Sequence, residues 1–211
     1  MANAIAPATH RVLDRQPNRS EISAISRLLA AALANDPLQR WLFPDERLRL
    51  AASERLFRRL VAPRIAPGLV SVSRTCQGQL ASVAVWTPPY PPAPNRWERL
   101  AESLAMRLAH GKRIHEVRQG FTDLAERHPQ QPYWYLLALA TTESERGQGH
   151  AAGLLKSKIE ECDATGRKIA LETSLPENIS YYEHFGFQIE NEVDLKDGPT
   201  VWLMCRESRS T

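Results

Sequence analysis

Apolar residues recur at Ile22, Ile25, Leu28, Leu29, Ala32 and Leu33. These steps of three and four form one face of a helix of period 3.6, with Asn18 or Ser20 available as its cap. Asp36-Pro37 is expected to end it, because a residue before proline avoids the helical region. A turn through Trp41 and Phe43 follows. Asp45 then caps a second helix with Leu48, Ala52, Leu56, Leu60 and Val61 inward, and Pro67-Gly68 stop it. Two strands, Leu69 to Ser73 and Gln79 to Trp86, flank Cys76-Gln77-Gly78, which predicts an antiparallel hairpin. Pro88 to Pro94 carries five of the fifteen prolines and reads as an extended loop without ladder donors. Helical stretches are expected over about 96–110 and 113–127.

The pattern is most regular after Tyr133. Tyr133 to Thr142 is an aromatic and aliphatic strand, and Gly149 to Thr165 a helix with Leu154, Leu155, Ile159 and Cys162 inward. Lys168 to Ser174 is a strand and Asn178 to His184 a short helix. Phe187 to Leu195 and Thr200 to Arg206 are strands joined by the turn Lys196-Asp197-Gly198-Pro199. This order predicts an α/β chain with a mixed sheet covered by helices. The strand–helix–strand run at 133–174 is its parallel part, with a right-handed crossover.

The 211 residues suit one domain, expected over 10–208, with 1–9 as a flexible tail. Hydrophobic residues at 43% and charged residues at 24% exclude a wholly disordered chain. No apolar run approaches a membrane span. A net charge of +3 is too small to point to nucleic acid, yet it does not repel an anionic ligand. Cys76, Cys162 and Cys205 are odd in number and in no metal spacing, so no metal is expected and the thiols read as reduced. The start has no secretory pattern, which points to the cytoplasm.

The segment Arg146-Gly147-Gln148-Gly149-His150-Ala151 lies between a strand and a helix. Backbone amides there can approach a phosphate or pyrophosphate closely, and the helix dipole favours its charge. The competing reading is a tight turn with no ligand. No Lys-Ser/Thr follows the glycines, so this is not a P-loop. Gly147-x-Gly149-x-x-x-Gly153 has one residue too many for a dinucleotide fingerprint and comes too late in the chain for a doubly wound fold.

Arg146, Gly149 and Ala151 match, in order and spacing, the Arg/Gln-x-x-Gly-x-Gly/Ala loop of the GNAT superfamily of acyl-CoA-dependent acetyltransferases. Tyr182-Glu183-His184-Phe185-Gly186-Phe187 matches its Tyr-x-x-x-Gly-Phe motif thirty-six residues later. The chain thus resembles that superfamily. Leu171-Glu172-Thr173-Ser174 with Asn178 and Tyr182, Val83 to Pro88, and the Trp134 strand resemble its puromycin N-acetyltransferase group.

The resemblance implies a GNAT fold: a twisted, mostly antiparallel sheet of about seven strands, the central pair parallel and splayed at the cofactor site. It implies acetyl-CoA as donor and a primary amine of a small molecule as acceptor, in a monomer or homodimer. The backbone of Leu139 and Thr141 would pair with pantetheine, and an amide near Leu139 or Ala140 would face the thioester oxygen. Arg146 opens the loop, and the amides of Gly147, Gln148, Gly149, His150, Ala151 and Ala152 would hold the pyrophosphate. Asn178 would bond the pantetheine arm and Tyr182 would sit near the sulfur. Thr141, Glu143 and the short spacing from Asn178 to Tyr182 depart from the family's usual pattern.

Acyl transfer needs donors for the carbonyl oxygen, an acid for the sulfur and a base for the ammonium. Tyr182 is the candidate acid, against a packing role. Glu172 is the candidate base, against an ion pair with a basic neighbour, and Glu143 is a lesser candidate. His150 is expected to face cofactor or water. Trp41, Phe43, Trp86, Tyr90 and Trp97 would suit an aromatic acceptor site, against ordinary packing. Other readings are a non-catalytic acyl-CoA sensor and a dinucleotide-binding oxidoreductase.

Overall fold

The computed structural model describes residues 9–12, 19–66, 68–93 and 96–209. In chain order the elements are β1 (Thr9–Val12), α1 (Arg19–Ala32), α2 (Pro37–Leu42), α3 (Glu46–Val61), β2 (Val70–Arg74), β3 (Leu80–Thr87), α4 (Arg96–His110), α5 (Ile114–Ala125), β4 (Tyr133–Thr141), α6 (His150–Ala164), β5 (Lys168–Thr173), α7 (Glu177–Glu183), β6 (Gln188–Asp194) and β7 (Thr200–Arg206). The expected tail at 1–9 lies outside the described residues apart from Thr9, which opens β1.

The seven strands form one sheet in the order β1-β2-β3-β4-β5-β7-β6, and every pairing is antiparallel except β4 with β5. Two layers of helix cover it. On one face Ile25, Leu28 and Leu29 of α1 and Phe57 and Val61 of α3 pack on Val70, Val72, Val83, Val85, Ala138 and Ala140. On the other, Leu154, Leu155 and Cys162 of α6 pack on Ala84, Trp86, Leu136, Ile169, Leu171 and Met204. The far end of α6 is pinned by Asp163, whose two oxygens take Arg206 at 2.6 and 2.8 Å.

Two sequence expectations change. Asp36 does not close α1; it caps α2, where Pro37 occupies the first turn and the carboxylate accepts from the amides of Leu38 and Gln39. A proline there lacks only an amide that no carbonyl would have taken, so Asp-Pro starts a helix here. Trp41 therefore lies on a helix, not in a turn. In α3, Leu48 is 62% exposed, while Ala52, Leu56, Leu60 and Val61 pack inward as expected, joined by the buried Ser53 and Phe57.

Trp41 ties α2 to the far edge of the sheet. Its indole donates to the Lys196 carbonyl at 3.0 Å, and Arg113 lies over the ring at 5.6 Å. A Cβ at Gly198 would stand 2.6 Å from this ring, too close for either to stay in place. Gly198→Ala is therefore expected to cost about 1–3 kcal/mol. In a chain of this size that lowers the Tm by roughly 2–4 °C per kcal/mol, read by calorimetry. An unchanged Tm would contradict the Trp41 packing.

Candidate active site

The site begins where β4 and β5 part. They pair from Tyr133↔Lys168 to Leu136↔Leu171 and no further, although β4 runs on to Thr141. On its other edge β4 skips a residue against β3: Val85 faces Ala138 and Trp86 faces Leu136. Leu137 is thus the extra residue of a bulge, which bends a strand and raises its twist. Leu137 and Ala138 accordingly both lie against the α1 cluster, while Leu136 and Leu139 lie on the α6 side.

The ladder also fixes which backbone groups face the gap. Thr142 donates to the Ala81 carbonyl, and Ala140 lies two residues earlier in the same register with Val83. Hydrogen-bonded pairs alternate in an antiparallel ladder, so Ala138 and Ala140 bond to β3. The N–H and C=O of Leu139 and Thr141 point the other way, into the gap. Ser82 Oγ donates to the Ala140 carbonyl at 2.8 Å on the β3 side.

A short 3₁₀ turn, Glu143–Glu145, leads from β4 to the loop. Gly147 and Gly149 have φ of 76° and 82°, the left-handed region that glycine enters without strain. A Cβ at either would meet nothing within 4 Å, so the space above the loop is open. Gly149 caps α6 with no side-chain acceptor. The first amides of the helix, from His150 to Ala152, are left for an outside acceptor. Gln148 Nε2 donates to the Ser144 carbonyl, and Arg146 reaches the Ala32 carbonyl at the end of α1. The His150 side chain does not face solvent. It is 5% exposed, its Nδ1 lies 2.7 Å from Ser73 Oγ and its Nε2 3.4 Å from Glu145. It anchors the loop to β2.

Beyond β5, α7 carries Asn178 and Tyr182. Asn178 Nδ2 donates to Thr173 Oγ1 at 3.4 Å. Tyr182 is 8% exposed, against Tyr181 and Phe187. Burial, with smaller contributions from Tyr181 and Asp36, holds its phenol well above the usual range. It therefore keeps its proton at neutral pH.

Glu172 lies on the opposite face of the sheet from α6. Its Oε1 meets His128 Nε2 at 2.6 Å, and His128 Nδ1 bonds Tyr133 Oη. Burial and the Glu172 charge hold the nearby Tyr135 phenol well above its usual range. His128 follows α5 and carries no motif, so sequence alone offered no signal for this partner.

The aromatic residues do not converge on one pocket. Trp41 and Phe43 are buried in a cluster with Val117, Leu124 and Val201, while Trp86 is buried on the α6 side of the sheet. Tyr90 is 69% exposed. The side chain of Trp97 lies outside the described residues.

One carboxylate at the gap was missed. Asp36, from the α1–α2 connection, accepts from Ser174 Oγ just past β5 at 2.9 Å and interacts electrostatically with Tyr182. The Asp-Pro pair was its signal, but it pointed only to a helix end. Among the described residues no group of three or more His, Cys, Asp or Glu is placed to hold a metal ion, and no helix is long and apolar enough to cross a membrane.

The chain is 36% identical over 77 residues to the uncharacterized N-acetyltransferase C550.08 of Schizosaccharomyces pombe. That match covers 35% of this chain and 31% of that protein, so it spans less than a third of the relative's length. The fold is similar to that of a histone acetyltransferase HPA2 and related acetyltransferase from Corynebacterium glutamicum. The TM-score is 0.69 at 22% identity, over 97% of this chain and 98% of that one. It is also similar to arylalkylamine N-acetyltransferase 2 of Aedes aegypti, with a TM-score of 0.61 at 12% identity, over 95% and 99% of the two chains. The model of the acetyltransferase (GNAT) family matches residues 80–187, more than half of the chain and spanning the gap, the loop and Tyr182, and the chain belongs to that family.

Proposed function

We propose that the protein is an N-acetyltransferase that moves an acetyl group from acetyl-CoA to a primary amine of a small molecule. The observation that carries this reading is the gap at the β4 bulge, lined by the backbone of Leu139 and Thr141. It is followed directly by a glycine loop and a helix start with no side-chain cap. Pantetheine carries two amides and would add to β4 like a short strand. The amides from Gly147 to Ala152 would meet the pyrophosphate, and Arg146 lies beside them. The Leu139 amide would face the carbonyl oxygen as charge grows on it. Ala140 supports this edge through its pairing with β3.

The amine attacks the thioester carbon, the C–S bond breaks, and the sulfur takes a proton. Tyr182 would supply it. A phenol with a raised pKa can still serve, because apolar surroundings also raise a thiol. Burial pushes Cys162 and Cys205 up to about 12 in this same protein. Asn178, beside Thr173 at the mouth of the gap, would bond the pantetheine arm. For Glu172 the pairing with His128 favours holding the sheet face together.

The acceptor class rests on likeness. The puromycin acetyltransferase resemblance suggests an aminonucleoside or other amine-bearing antibiotic, and the Aedes aegypti relative is named for arylalkylamines. A non-catalytic sensor would bind acetyl-CoA equally well but release no thiol.

Acetyl-CoA at a hundred times its Kd is expected to stabilise the protein by about 2.7 kcal/mol, seen as a rise in Tm. Gly149→Asp strains the φ of 82°, although aspartate is among the few residues that enter this region. Its carboxylate, however, takes the amides meant for phosphate. The Tm rise should vanish in this variant, and an equal rise would sink the loop assignment.

Thiol release with a panel of primary alkylamines and arylalkylamines tests turnover. Tyr182→Phe keeps the ring and should retain the acetyl-CoA shift while kcat falls by roughly 10²–10⁴. Wild-type turnover in that variant would return Tyr182 to a packing role.

A further inference from the structure

Acyl transfer to an amine that arrives as an ammonium ion requires the nitrogen to lose two protons, and Tyr182, which keeps its own proton, does not take the first. A primary alkylamine has a pKa near that of lysine, about 10.4, and arrives as an ammonium ion. Glu172 has one oxygen committed to His128. Asp36 differs. Its Oδ1 receives all three of its donors, from the Leu38 and Gln39 amides at 2.9 and 3.3 Å and from Ser174 Oγ at 2.9 Å. No described residue donates to Oδ2. Ser174 in turn accepts from the Leu38 amide at 3.2 Å, so the carboxylate is locked in orientation from both α2 and β5.

The location is as informative as the bonding. Asp36 comes from the helical layer of α1 and α3, and Tyr182 from the layer of α6 and α7. These layers are separated by the sheet everywhere that strands run. Past the end of β5, where β4 has already turned away, Ser174 holds Asp36 at 2.9 Å, and the chain enters α7, which carries Tyr182, three residues later. A carboxylate and a protonated phenol thus approach the same gap from opposite faces. That is the arrangement an attacking amine and a leaving sulfur require.

Resting on the acetyltransferase reading above, we infer that Asp36 is the residue that receives the acceptor. Its Oδ2 binds the ammonium group and takes the first proton, with Ser174 as the positioning residue. The freed nitrogen lone pair forms the C–N bond. The intermediate then collapses with loss of the C–S bond, and the sulfur takes the proton of Tyr182. The second proton on nitrogen replaces the one Tyr182 gave, and the proton on Asp36 passes to solvent. The ligand class is a primary ammonium ion, drawn to a mouth that also carries the Glu177 charge.

The ionisable and polar groups facing Asp36 are Glu177 and Tyr182 from α7, Ser174 beyond β5, and the amides of its own helix. Burial raises its pKa above the ordinary carboxylate value. The Ser174, Gln39 and Leu38 hydrogen bonds oppose that rise, and Glu177 adds to it. The net rise makes it a better proton acceptor than an exposed aspartate.

The test uses the full chain, acetyl-CoA and the amine of the panel that turns over fastest. Wild-type kcat/KM for the amine should show a plateau through neutral pH, falling on the acid side as Asp36 protonates. Asp36→Asn keeps the helix cap, since Asn accepts the same backbone bonds. It should retain the acetyl-CoA Tm shift, lose about a hundredfold in kcat/KM at pH 7, and regain activity as pH rises towards the amine pKa. Ser174→Ala removes a bond to the charged form and should move the acid limb to higher pH. Glu172→Gln should keep the plateau.

An Asp36→Asn profile that stays parallel to wild type, or an acid limb unmoved in Ser174→Ala, overturns the assignment. So does loss of the plateau in Glu172→Gln alone. A wild type that binds acetyl-CoA but releases no thiol with any amine overturns the transferase reading and this inference with it, whereas those variant results overturn only the inference. If Asp36→Asn does not fold, the Ser174→Ala limb decides.

Discussion

The structure turns on where the parallel pairing of β4 and β5 stops. Four residue pairs hold the strands together, and at Leu137 the bulge redirects β4. Every backbone group beyond that point on this edge has lost its strand partner. A peptide amide that faces neither a strand nor water is costly, so such an edge survives only if something meets it. In an open sheet a gap of this kind would invite another strand. Here helices cover both faces.

The rest follows from that opening. The cap residue of α6, Gly149, lies eight residues past the end of β4 and leaves the first amides of the helix with no side-chain cap. His150 and Glu145 hold the loop down on β2, so the glycines can adopt positive φ without the turn drifting. α7 follows β5 after three residues and brings Tyr182 to the end of the gap. α2, tied to the far hairpin by Trp41, brings Asp36 to the same place from the other side.

Most of the element order was legible, because helices such as α1 bury one face and the central strands are apolar runs buried on both. α1 follows a period of 3.6, while β2, β3, β5 and β7 read as short apolar runs bounded by turn residues. The loop was legible because Gly147 and Gly149 mark backbone that other residues enter at a cost. Three things were not. Asp-Pro can end one helix or begin the next, and only the amides of Leu38 and Gln39 show that Asp36 begins α2. The His128–Glu172 pair joins residues 44 apart through side chains alone, which no local pattern records. The bulge at Leu137 was equally silent, since no glycine or proline marks it.

The most direct test of this account is amide hydrogen exchange at single-residue resolution, with and without saturating acetyl-CoA. Leu139 and Thr141, whose amides face the gap, should exchange quickly in the free protein and slow markedly on binding. Ala138 and Ala140, already bonded to β3, should change little. Equal exchange at Leu139 and Thr141 in both states, with acetyl-CoA bound, would contradict the claim that this open strand edge is where the cofactor docks.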